Sequence, residues 1–285
     1  MILSLSEILI SLELGIIYGI VAIGIYLTFR IINFPDLTCD GSFVCGAAVS
    51  TMALKAGWNP ALAVLAAAAA GALAGGTTGL VYLYGRVTDL LSGILVAFML
   101  YSINLRIMGG VPNIALLQEG TLFTYGYNQA LTLMFIAFVL WFGCRYLLKT
   151  DFGLALRSIG QNVRLSENNG VNIAKMTMIG LILSNMFIGF GGGLFSQHQG
   201  FTDISQGLGT VIIGLAAVTI GEKIFAFSTM GWHLFACLMG SILYRLIMAV
   251  ALHNESLGLD TSDLNLITGL ILIGIMRIPS MRRAK

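Results

Sequence analysis

Apolar residues in this chain neither alternate with polar ones nor keep to one helical face; they run in blocks. Windows near 8–29, 38–54, 59–83, 90–108, 127–148, 176–196, 207–221, 231–251 and 263–278 are each predominantly apolar. A helix needs about 20 apolar residues to cross the hydrocarbon layer. The pattern therefore predicts an all-α, polytopic membrane protein with about nine transmembrane helices. The windows at 38–54 and 207–221 are short and glycine-rich, which leaves open whether they cross fully or are broken or re-entrant.

Composition agrees with the blocks. The 285 residues are 57% hydrophobic and 10% charged, with a mean hydropathy of +0.91. Soluble domains carry about 25% charge, so this apolar surface exceeds what one water-soluble core can bury. The net charge of +2 leaves no electrostatic footprint for a nucleic acid. Basic residues set the orientation, because Lys and Arg concentrate in cytoplasmic loops. With the N-terminus outside, the inside loops hold Arg30, Arg86, Arg145, Lys149, Arg157, Arg164, Lys175, Lys223, Arg277, Arg282, Arg283 and Lys285, most of the 15 basic residues. The expected topology is N-out, C-in.

Two stretches repeat. Phe34-Pro35-Asp36-Leu37-Thr38 and Phe201-Thr202-Asp203-Ile204-Ser205 share a Phe-x-Asp-aliphatic-hydroxyl pattern, and glycine-rich apolar windows follow both. Gly57-Trp58 and Gly231-Trp232 extend the match. In the expected topology Asp36 lies inside and Asp203 outside. Helices one to four and six to nine then form an inverted repeat, an arrangement characteristic of transporters. The chain reads as one permease-like domain, 1–285: a first half at 1–108, a connecting helix at 127–148, a cytoplasmic loop at 149–175 and a second half at 176–285. Each aspartate precedes an apolar helix and is expected to serve as its N-cap. Gly-x-x-x-Gly spacings at Gly15/Gly19, Gly71/Gly75 and Gly189/Gly193 place small residues on one helix face for packing within the subunit.

Polar residues matter most where they break the pattern. Residues 150–175 are far longer than a simple joint of about four to six residues. Asp151 is expected to cap a short helix, and Gly160 and Gly170 to bracket a second, amphipathic segment that docks on a partner. Within the apolar windows, Asp40, Ser42, Phe43 and Arg245 are candidates for lining a translocation path, since ionisable groups at membrane depth are expensive. Glu13 and Arg245 alternatively form a buried structural pair. The four cysteines show no ligand spacing and read as small packing residues.

These stretches resemble a known family. Gly153-Leu-Ala-Leu-Arg157-Ser-Ile-Gly160-Gln161-Asn162, with Arg164, Glu167 and Gly170-Val-Asn-Ile173, is similar to the coupling-loop motif of the branched-chain amino acid and ribose ABC permeases. Gly19 to Asp36, Gly41-Ser-Phe43, Gly46-Ala-Ala48 and Gly214-Leu-Ala-Ala-Val218 resemble that family's first loop and spans. The wording Phe34-Pro-Asp36-Leu-Thr-x-Asp40-Gly-Ser42 is closer to a subgroup associated with aromatic amino acids and related small solutes. The resemblance implies the permease subunit of an ATP-binding-cassette importer in a bacterial inner membrane. Each subunit would form half of the path in a dimer, homodimeric by expectation. A separate ATP-binding subunit would dock on Gly153, Arg157, Gly160, Gln161, Asn162, Arg164, Glu167 and Gly170, and an extracytoplasmic binding protein would deliver the solute.

The chain itself shows no enzyme signature and no cofactor motif. Gly-x-x-x-x-Gly-Lys-Ser/Thr is absent, so ATP falls to the partner subunit; zinc-protease and serine-hydrolase signatures are absent too. A transporter driven by an ion gradient is the alternative. It accommodates the repeat and Asp40, but gives the long loop no role.

Overall fold

A computed structural model describes residues 4–117, 119–124, 128–225, 229–253 and 264–277. Helices occupy all nine apolar windows: α1 (Leu5–Tyr26), α2 (Cys39–Lys55), α3 (Pro60–Gly85), α4 (Asp89–Ile107), α5 (Gln129–Leu147), α8 (Ile173–Gln199), α9 (Thr210–Ile224), α10 (Met230–His253) and α11 (Leu264–Arg277). Two short helices, α6 (Asp151–Gln161) and α7 (Val163–Asn168), fill the long loop. Strands β1 (Asn113–Ala115) and β2 (Phe201–Asp203) form an antiparallel ribbon with Ile114 opposite Thr202.

Among the described residues, six helices are long and apolar enough to cross a membrane, rather than the nine expected: α1 with its π-helical extension Leu27–Ile31, then α3, α4, α5, α8 and α10. At 1.5 Å per residue, the 17 residues of α2 reach only about 26 Å. The 15 residues of α9 are shorter still. Both fall below a hydrocarbon layer of about 30 Å.

The described chain divides into two compact units. The first comprises Met1–Ile23, Asn128–Arg145 and Ile212–Lys285; the second comprises Gly24–Tyr127 and Tyr146–Val211. The second unit therefore holds α2, α3, α4 and α8, the first α9, α10, α11 and most of α1. If the halves are repeats, these sets correspond helix for helix, each taking the leading helix of the other half.

Glycines determine how closely the helices of the second unit approach. Gly71 and Gly75 of α3 sit under the carbonyls of Asn185 and Leu181 on α8, and Gly46 of α2 meets Gly189 of α8 backbone to backbone. In the first unit, Gly15 and Gly19 of α1 lie against Ile242 and Leu238 of α10, and Gly221 of α9 lies beneath the Ala236 carbonyl. All three Gly-x-x-x-Gly spacings thus pack helices of the same chain. Without a hydrophobic drive between helices in lipid, such close backbone approach is what dispersion forces need.

The two repeated aspartates are not helix caps. Each accepts the backbone N–H two residues on, Asp36 from Thr38 and Asp203 from Ser205, both at 2.8 Å. These are Asx turns. The matching side-chain geometry accompanies the matching sequence.

Candidate functional site

The long loop presents an amphipathic surface. Thr150, rather than Asp151, caps α6 by accepting the Gly153 N–H, and Asn162 caps α7 by accepting that of Leu165. Helix α6 is the most strongly amphipathic of the helices. It buries Gly153, Leu156 and Ile159 and turns Leu154 outward. The outward surface continues through Gln161, Asn162, Val163, Arg164, Leu165, Glu167 and Gly170, all exposed. Leu154, Val163 and Leu165 are half or more exposed there. Arg157 is half-buried and donates within its own helix to the Gly153 carbonyl.

Gly160 does not bracket a segment as expected; α6 runs through it. It lies directly beneath the Ile31 carbonyl, where a side chain would collide with backbone. A glycine in a helical pattern signals either an end or a close approach, and here it is the second. The loop is thereby seated on the end of the first helix.

From that seat, residues 32–38 run into the interior of the second unit. Asn33 takes a left-handed conformation (φ 53°), which turns the chain toward Pro35. The Phe34 ring packs edge-on against Tyr82, centroids 5.1 Å apart. Asp36 is wholly buried, and its Oδ2 accepts from Asn185 Nδ2 at 2.7 Å. The Thr38 hydroxyl meets that of Thr78 at 2.7 Å. The segment is thus pinned to α8 and α3 by partners far away in sequence.

A cavity of about 390 Å³ opens beside this segment, between α2, α4 and the turn after β2. Leu37, Asp40, Gly41 and Val44 form one wall, Ala97, Phe98, Tyr101 and Asn104 a second, and Ile204, Gly207 and Leu208 a third. The Asp40 carboxylate accepts the backbone N–H groups of Gly209 (3.2 Å) and Val211 (3.0 Å). It therefore holds the free amides at the start of α9, the role sequence reasoning assigned to Asp203. Asn104 donates to the Gly41 carbonyl at 3.0 Å.

The four path candidates do not gather at one place. Asp40 lines the cavity. Ser42 and Phe43 are wholly buried, and the Phe43 ring packs on Phe195 within the helix bundle. Arg245 belongs to the first unit, with its guanidinium 4.2 Å from the centre of the Tyr18 ring. Sequence reasoning missed Tyr101 and Asn104, polar residues among the apolar positions of α4 that were legible as such. It also missed Asn185, whose partner lies 149 residues away.

Comparison with known proteins follows this geometry. A tyrosine transport system permease protein of Clostridioides difficile is 36% identical over 276 residues, covering 95% of this chain and 91% of its own length. The guanosine ABC transporter permease protein NupQ of Bacillus subtilis is 28% identical over 134 residues, covering 47% and 38%. Among solved structures, an ABC transporter described as of metal-chelate type, in an inward-facing conformation, matches with a TM-score of 0.53 at 16% identity, covering 95% of this chain and 85% of that one. That likeness shows an ABC permease fold. The family model for the permease component of branched-chain amino acid transport systems matches residues 7–276, and the chain belongs to that family.

Proposed function

We propose that this multi-pass permease forms half of the import path for a small amino acid, of aromatic type, and couples to its ATPase through α6 and α7. The observation that carries the coupling reading is the split surface of the loop. One face is seated on the end of the first helix at Gly160, and the other offers Leu154, Val163 and Leu165 among Arg164 and Glu167. An apolar centre with a charged rim is how protein interfaces are built. The similarity to a tyrosine transport system permease supports the solute class.

The rest of the assembly follows from the family. An ATP-binding subunit docks on the loop, an extracytoplasmic binding protein delivers the solute, and a second permease copy completes the path in the bacterial inner membrane. The nine helices form an inverted repeat around α5, with the N-terminus outside. The matching helix sets of the two units and the paired Asx turns support this reading. A gradient-driven mechanism would leave the outward face of α6–α7 without a partner.

The test is co-purification with the partner ATPase that the family implies, using Glu167→Arg and Leu165→Asp. Both variants are expected to fold, because both side chains are exposed, and to lose ATPase association. Retention of the ATPase by both would refute docking at this loop.

A further inference from the structure

We propose that the cavity between α2 and α4 is a binding site for a small solute with an apolar body and a cationic amine head. The proposal rests on reading the chain as a solute permease and adds the chemistry of the site. Three features carry it.

The first is charge. Asp40 is the one residue of the cavity wall that carries a charge at neutral pH, and no Lys or Arg lines it. A carboxylate-headed solute would meet a negative charge with no counter-ion in a low-dielectric pocket. An ammonium group brings the opposite charge and three donors.

The second is fixed acceptors. Two backbone N–H groups orient the Asp40 carboxylate, one on each oxygen, and every carboxylate oxygen has a further lone pair. Asn104 is wholly buried, and its bond to the Gly41 carbonyl fixes the amide plane. Its Oδ1 has no hydrogen-bond partner. A buried amide oxygen without a partner is costly, and this one belongs to a residue of the cavity wall.

The third is shape. About 390 Å³ lies within the range of small-molecule pockets, and Val44, Phe98, Tyr101 and Leu208 supply aliphatic and aromatic walls. The amino end of an aromatic amino acid falls within this class.

The full-length permease, purified alone in detergent, is sufficient for the test. Its four native cysteines are buried, so Ala97→Cys on the cavity wall supplies a selective target for a fluorescent maleimide. Phenylethylamine is expected to slow that labelling saturably, and 3-phenylpropionate, of similar size and opposite charge, to leave it unchanged. Leu95→Cys, on the exposed side of α4, should not be protected by either. Asp40→Asn in the Ala97→Cys background should raise the half-protecting amine concentration about ten-fold, as expected for loss of a charge-assisted hydrogen bond. Absence of protection by the amine, equal protection by the acid, or undiminished protection in Asp40→Asn would overturn the proposal. Should Asp40→Asn not fold, the comparison of amine with acid decides. No ATPase or binding protein is present, so the outcome is independent of whether the α6–α7 docking reading holds.

Discussion

The two units are held together differently. The second is fastened by buried polar side chains that reach across long stretches of sequence: Asp36 to Asn185, Thr38 to Thr78, Thr51 to Thr202, and Gln197 to Ser50 and the Pro60 carbonyl. Among the described residues of the first, large rings accompany the hydrogen bonds. Trp141 donates to the Gly231 carbonyl at 2.9 Å and packs near Phe235, Arg145 lies over Trp141, and Tyr244 meets Thr268. Hydrogen bonds are directional and fix register, whereas ring contacts tolerate small slides. The unit that carries both the long loop and the cavity is thus tied together by directional bonds between segments far apart in sequence.

The largest effect expected in testing this contrast is at a glycine of the second unit. Gly71→Leu drives a side chain into the Asn185 carbonyl and should cost about 3 kcal/mol or more, read as lost folded yield in detergent. Gly76→Leu, one turn away with only Ile182 nearby at 3.6 Å, should express normally. Equal losses from both would mean that the glycine faces do not set the packing.

Next comes Asp36→Ala, which leaves the Thr38 N–H and one N–H of the Asn185 amide without their acceptor in the interior, the other Asn185 N–H keeping the Leu181 carbonyl. A cost of about 1–3 kcal/mol for each buried orphan is expected, visible as a lower melting temperature. The counterpart in the first unit is Trp141→Phe. It removes one hydrogen bond while keeping most of the ring, for about 1 kcal/mol. If Trp141→Phe proves the more damaging of the two, the contrast is reversed.

The smallest effect is electrostatic. Hydrogen bonds from Ser205 and Asn113 hold the Asp203 carboxyl below the ordinary carboxylate range. A depressed native pKa stabilises the folded state above the unfolded value of about 3.9, and that contribution disappears as pH falls through the native value. Asp203→Asn should therefore shift melting slightly at neutral pH and not at all in strong acid. An equal shift at both would point to shape rather than charge.

Much of this was legible in sequence. Blocks of apolar residues marked where the long helices form, because apolar helices announce themselves by composition alone, although only six of the described ones are long and apolar enough to cross a membrane. The Gly-x-x-x-Gly spacings marked packing faces, since small residues at helical spacing have few other uses in lipid. The long polar loop marked a structured element, the pair of short helices α6 and α7. Partner identity was not legible. Asp36 reads as a cap until Asn185 is brought beside it, and Asp40 reads as a lone charge until the start of α9 is folded onto it. Gly160 looked like a helix end because only the fold reveals the Ile31 carbonyl above it. In each case the deciding contact is distant in the chain.

The central claim is that loop and cavity belong to one stiff unit joined through Gly160 and residues 31–40. ATP hydrolysis and solute uptake, measured in parallel on the assembled importer carrying Gly160→Trp, test it most directly. A side chain here unseats α6 from the Ile31 carbonyl while the exposed side chains of the loop stay unchanged, so per assembled complex ATP hydrolysis should persist while uptake collapses. Normal uptake with Trp at position 160 would contradict the account.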